Sequence, residues 1–121
     1  MKRTLMQVYV KNSSDAVELY REAFDASVGS NWRNPDGSCM HVELDVYGQI
    51  VAVSEAPEGI EVGNGMQFCL HFGEDEREKV KRAYEVLKEG AAVVSEIGRC
   101  SYSECMFALI DRFGVNWCVF I

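Results

Sequence analysis

Asp111-Arg112-Phe113-Gly114-Val115-Asn116-Trp117-Cys118-Val119-Phe120-Ile121 is the stretch on which the fold of this chain turns. A charged turn that closes on a glycine feeds an apolar run. Gly114 supplies the positive φ that a tight turn needs. Trp117 to Ile121, aromatic and β-branched, predicts a buried strand. Such a run is an aggregation hazard unless a sheet receives it. The rest of the chain must therefore supply that sheet.

Working outward, the residues before the turn, Cys105 to Ile110, read as another strand. The same pattern has occurred once already. Cys39-Met40-His41-Val42-Glu43-Leu44-Asp45-Val46-Tyr47-Gly48 matches Cys105-Met106-Phe107-Ala108-Leu109-Ile110-Asp111-Arg112-Phe113-Gly114, with Cys, Met, a Leu/Ile, Asp, an aromatic and Gly in register. Two helical stripes repeat as well. Ala16, Leu19, Tyr20, Ala23 and Phe24 form the first; Val80, Ala83, Tyr84 and Leu87 form the second. Asn12, Ser13 and Ser14 offer caps for the first helix. Glu74, Asp75 and Glu76 open the second, where negative charge suits a helix N-terminus.

The remaining elements fall into place around these. Strands are predicted at Leu5–Val10, around Val28–Trp32, at Cys39–Val46, Ile50–Ser54, Met66–Phe72, around Val93–Glu96, and in the two stretches already described. Pro57 to Gly65, with three glycines, is a linker. The order is strand, helix, three strands, linker, then the same again. The chain is thus α+β and internally duplicated, with βαβββ units at about 1–58 and 64–121.

Composition sets outer limits. A length of 121 residues with 48% apolar content suits one domain with a real core. No window approaches the roughly 20 apolar residues that span a bilayer. The start lacks an apolar signal core, so a cytoplasmic location is expected. A net charge of −7 argues against nucleic acid as a partner and is compatible with a cationic ligand. The five cysteines include no CxxC pair and read as reduced thiols packed as small hydrophobes.

With these pieces in hand, the chain resembles the vicinal oxygen chelate superfamily, which includes glyoxalase I, extradiol dioxygenases and bleomycin-resistance proteins. The PhnB-like branch fits best. The resemblance rests on Ala16 to Phe24, Met40 to Leu44, Ser54-Glu55-Ala56-Pro57 and Asp111 to Trp117, and so covers nearly the whole chain. It implies two units whose curved mixed sheets surround a cleft, within a homodimer. Where the family carries a metal, one side chain from the first and last strand of each unit holds it, usually His, Glu or Gln. Here those positions fall on Leu5, Ala52, Gln67 and Cys118. Leu and Ala donate nothing, so no metal and no other cofactor is expected.

The same phasing nominates the cleft-lining side chains. On the first strand these are Gln7 and Tyr9, with Leu5; on the third, His41 and Glu43; on the fifth, Gln67, Cys69 and His71; on the last, Cys118 with Asn116 and Phe120. A one-residue slip would invert every assignment. Polar residues on strands otherwise built from Met, Val and Phe need a reason to be polar, which makes Gln7, Tyr9 and Gln67 candidate ligand contacts. His41 and His71 are the only histidines, and each is either a general base or a hydrogen-bonded sheet residue. Glu43 either binds ligand or is a solvated carboxylate. Cys118 and Cys69 are either inert thiols or, given a base such as His71, nucleophiles. Trp117 is expected on the helix side and Trp32 in a loop.

Three functions are compatible with these residues. The first is metal-independent binding of a small organic ligand. The second is an enzyme (lyase, isomerase or transferase) using His71, Glu43 or a thiol, or a metal on a set such as His41, Glu43 and His71. The third is a drug-sequestering protein of the bleomycin-resistance type.

Overall fold

The computed structural model describes residues 1–121. The chain divides into two compact units, Met1–Val62 and Gly63–Ile121. The first holds β1 (Met6–Val10), α1 (Ser13–Phe24), β2 (Ser27–Arg33), β3 (Cys39–Val46) and β4 (Gln49–Glu55). The second holds β5 (Gln67–His71), a 3-10 turn (Glu74–Glu76), α2 (Arg77–Leu87), β6 (Ala92–Gly98), β7 (Met106–Ile110) and β8 (Asn116–Phe120). Both units are βαβββ, as the repeat implies.

Each unit forms one open, mixed, four-stranded sheet. The orders are β1-β4-β3-β2 and β5-β8-β7-β6. The first strand of each unit runs parallel to the last, and the other pairings are antiparallel. The apolar run of the opening stretch is β8, seated between β5 and β7. An inner strand has its backbone groups paired on both edges, which answers the need for a sheet to receive it.

One face of each sheet is packed by its helix. In the first unit Val8, Val10, Val42, Leu44, Val51 and Val53 are buried on the face that meets α1, together with Ala16, Leu19, Tyr20 and Phe24. In the second, Phe107, Leu109, Trp117 and Val119 are buried on the face that meets α2, with Val80, Ala83 and Leu87. Burying a side chain such as Leu or Phe contributes about 1.5–3 kcal/mol. These two cores therefore fix which face of each strand is left for other uses. Trp117 lies on the helix side, as its phase indicates.

Three local details differ from the expectation. Asn12 does not cap α1 through its side chain; its backbone is left-handed, at φ 58°. The cap comes from Glu55 at the end of β4, whose Oε1 accepts from both the N–H and the hydroxyl of Ser13 at 3.0 and 2.9 Å. A carboxylate at a helix N-terminus meets both the orphan donors and the dipole. The acidic run forms a 3-10 turn, and α2 begins only at Arg77, because Glu76 turns back to accept from the Gly73 N–H at 2.8 Å. Trp32 is not in a loop but on β2, opposite His41.

Candidate functional site

Residues that pair across adjacent strands point to the same face, so register alone assigns the helix-free faces. In the first unit one row reads Gln7, Ala52, Glu43. The next row reads Tyr9, Ser54, His41, Trp32, with Ser54 beside His41 one step beyond the Val42–Val53 pair. The four candidates of this unit, Gln7, Tyr9, His41 and Glu43, therefore share a face. Gln7 donates to the Ser54 hydroxyl at 2.9 Å, and Ser54 donates to the Met40 carbonyl at 2.8 Å. Tyr9 and Ser54 also line a shallow surface pocket of about 540 Å³ with Asn34, Asp36 and Met40.

Glu43 is the centre of this face. It sits on an inner strand and is only 7% exposed. A buried carboxylate is tolerated only when paired, and Glu43 is paired twice. Arg3 donates from Nη2 to Oε1 at 2.6 Å and from Nη1 to Oε2 at 3.1 Å, a bidentate fork. His41 Nε2 lies 3.0 Å from Oε1. The Arg3 hydrogen bond, followed by that of His41, holds the Glu43 carboxyl down to about 2. An acid so weakly basic is a poor proton acceptor near neutral pH.

Arg3 is the partner of Glu43 that the sequence reading missed. A signal for it existed: residues 3, 5, 7 and 9 share one alternation phase, and a carboxylate on an inner strand asks for a cation.

The helix-free face of the second unit has another character. Its rows read Gln67, Asn116, Ile110; Cys69, Cys118, Ala108; and His71, Phe120, Met106. Gln67 donates to Asn116 Oδ1 at 3.1 Å, and the Cys69 thiol points to Gln67 Oε1 at 3.6 Å. His71 is exposed and stacks on Phe120, with ring centroids 4.5 Å apart. Cys118 is buried with Met106 and Ala108, and Cys100 and Phe120 pack against that group. Its thiol meets the Tyr102 hydroxyl at 3.8 Å.

The pairing of Cys118 with His71 that would make a nucleophile does not form. Burial pushes the Cys118 thiol up, away from the thiolate. The hydrogen bond to Cys118, with burial, pushes the Tyr102 hydroxyl up to about 12. Tyr102 enters from the loop between β6 and β7, where strand periodicity does not apply.

The superfamily's metal can be tested against these side chains. Leu5 lies ahead of β1, Ala52 is a methyl group between Gln7 and Glu43, and Cys118 is a protonated thiol under Tyr102. Gln67 is the one oxygen donor of the four; its amide nitrogen donates to Asn116 and its Oε1 faces the Cys69 thiol. This set does not fit a divalent ion. Within neither unit are three or more His, Cys, Asp or Glu side chains gathered so as to hold one.

The architecture is that of a duplicated βαβββ protein with helix-free sheet faces bearing the polar groups. The chain belongs to the glyoxalase/bleomycin resistance protein/dioxygenase superfamily, whose family model matches residues 3–119. Solved structures agree in fold. A PhnB protein from Bacillus cereus is 18% identical, with a TM-score of 0.80 over 99% of this chain and 98% of the other. Protein PA1353 from Pseudomonas aeruginosa is 18% identical, with a TM-score of 0.83 over 99% and 97%. The fosfomycin resistance protein FosX from Listeria monocytogenes is 11% identical, with a TM-score of 0.68 over 99% and 92%. Among proteins with curated descriptions, none matches this sequence. No helix is long and apolar enough to cross a membrane.

Proposed function

We propose that this chain is a PhnB-like member of the superfamily that binds a small organic ligand on the helix-free faces of its sheets, without the superfamily's metal. The observation that carries this reading is Glu43. An ionised, fully hydrogen-bonded carboxylate at the middle of a sheet face contributes nothing to packing against the helix on the other side. Groups of this kind converge where a ligand is recognised. Gln7, Tyr9 and His41 share that face. Gln67, Cys69, His71 and Cys118 give the second sheet a face of amide, thiol and aromatic character.

Sequestration, with the ligand held unchanged, is the form of this reading that the side chains favour. The carboxylate is spent on Arg3, the buried thiol is protonated, and His71 is stacked on a ring. None of these three is poised as base or nucleophile, and the exposed Cys69 thiol meets an amide oxygen rather than a base. Assembly as a homodimer belongs to the same proposal: each sheet leaves its outer strands with one unpaired edge within its own unit.

Protein-observed NMR with a library of small organic cations, anions and neutral heterocycles tests the reading. Amide shifts at Gln7, Tyr9, His41 and Glu43 are expected for the binders. Binders whose shifts map only to α1 or α2 would overturn it. Light scattering coupled to sizing should return twice 13.6 kDa.

A further inference from the structure

Glu43 meets its cation in an unusual way. The carboxylate is on an inner strand, but its partner is not. Arg3 lies in the segment ahead of β1, in no regular structure, and its side chain is 54% exposed. Its guanidinium makes no hydrogen bond or ion pair except to Glu43. The attachment therefore depends on a single residue pair, with no second anchor for the arginine.

The surroundings of the carboxylate are built from small residues. Ala52 is beside it on β4. On the other side β2 bulges at Gly29, where a Cβ would lie 3.7 Å from the Glu43 carbonyl oxygen and 4.0 Å from its Cβ. Neither neighbour has a side chain that reaches the carboxylate; Arg3 and His41 are the side chains that meet it. In the next row, Tyr9 and Trp32 are 49% and 65% exposed. Trp32 is on β2, next to the strand of Glu43, and Tyr9 is two strands away on β1. An exposed aromatic ring one row from a carboxylate forms a surface suited to a delocalised cation with an apolar body. The net charge of −7 favours the approach of a cation.

We propose that Glu43 anchors a binding subsite for a guanidinium- or amidinium-bearing small molecule, and that Arg3 is the chain's own occupant of that subsite. This rests on the reading of the face as a ligand surface. A planar ligand cation reproduces the two-point fork that Arg3 makes, lies over Ala52 and Gly29, and stacks its body on Trp32. Arg3 swings out with its segment. Its competition lowers the apparent affinity by the fraction of time the carboxylate is occupied. The exchange leaves no buried charge unpaired at either end, which a neutral ligand could not achieve.

The test uses benzamidine and the full chain at pH 8, where the carboxylate is ionised. Titration calorimetry should show weak binding to the unaltered protein and an affinity at least about tenfold higher for Arg3→Met, a difference of about 1.4 kcal/mol. Methionine keeps the apolar stem and removes the fork. Benzoate, with the same shape and opposite charge, should not bind this variant. Adding Glu43→Gln to Arg3→Met should abolish the gain. The His41 imidazole proton signals should move with benzamidine in Arg3→Met. Equal affinity of the two proteins, or a gain that survives Glu43→Gln, overturns the subsite. Should Arg3→Met not fold, deletion of residues 1–4 provides the same comparison. If benzamidine fails while the library yields ligands that shift Gln7 and Tyr9, the subsite falls and the wider binding reading stands. If benzamidine fails and no library member shifts either helix-free face, both fall.

Discussion

The indole Nε1 of Trp117 donates to Asp111 Oδ2 at 2.8 Å, with both residues buried. The other oxygen of the same carboxylate accepts from the N–H groups of Phe113 and Val115 at 2.8 and 3.1 Å. One side chain thus closes the β7–β8 turn and fixes the largest residue of the second core. In the first unit the equivalent Asp45 accepts from Gly48 N–H at 2.6 Å, but Asp45 is exposed and its turn leads to Ile50 and Val51 with no tryptophan to hold. Gly48 and Gly114 both sit at φ 88°, so the turn itself is shared.

The duplicated aspartates should therefore differ in effect. Asp111→Ala orphans three donors, two of them on buried residues, and should cost about 2–4 kcal/mol. Asp45→Ala removes one exposed turn bond and should cost about 1 kcal/mol or less. Urea denaturation followed by far-UV circular dichroism compares them directly. Equal costs would mean that the clamp on Trp117 adds nothing to the turn.

This contrast shows what the sequence could carry. The repeat was legible because two turns need the same residues, an aspartate to accept N–H groups and a glycine for positive φ. The sheet faces were legible because alternation is a local property of a strand: Phe68 and Leu70 fall on the helix side, Gln67, Cys69 and His71 on the exposed side. What alternation cannot say is which residue arrives from elsewhere to meet a given side chain. Arg3 comes from the segment before β1, Tyr102 from a loop, and Glu55 reaches α1 from the end of β4. Each of the three decides the chemistry of a residue it meets: Glu43, Cys118 and Ser13. The candidates were found by phase, and their partners only by the fold.

Acid should act on Glu43 in a defined window. Its carboxyl is held at about 2 in the folded protein, against 4.5 for an ordinary glutamate. The folded value is the lower one, so the unfolded state binds the proton first. The stability this group contributes is complete above about 4.5 and is lost as the pH falls toward 2. Other carboxylates also titrate there, so the informative quantity is the melting-temperature gap between the unaltered protein and Glu43→Gln. The gap should shrink steadily as the pH falls below 4.5. A gap that widens as the pH falls below 4.5 would contradict the Arg3 fork.

The five thiols should separate by exposure. Cys69 is exposed, Cys100 is half-buried, and Cys39, Cys105 and Cys118 are buried. Cys118 also lies next to Tyr102 with its thiol pushed upward by burial. Iodoacetamide at pH 7.5, read by peptide mass spectrometry, should label Cys69 first and Cys100 next. Cys118 should lag Cys69 by about a hundredfold or more, and react fully only after unfolding. Labelling of Cys118 at the rate of Cys69 would restore the nucleophile that its surroundings argue against.

Metal addition asks whether the departure from the superfamily's donor set is real. Retention of a divalent ion needs three or four donors converging on one point. The positions that would supply them hold a leucine, an alanine, an amide engaged with Asn116, and a protonated thiol. Incubation with nickel, zinc, manganese or iron, followed by desalting and elemental analysis, should leave far less than about one equivalent on the protein. The surface can bind stray ions through Cys69, Cys100 or the histidines, so Cys69→Ala, Cys100→Ala and His71→Ala controls are included. Any residual metal should fall in these variants. Stoichiometric retention that survives all three, but disappears in Cys118→Ala or Gln67→Ala, would mean that the chain completes a site from donors other than those its strands present.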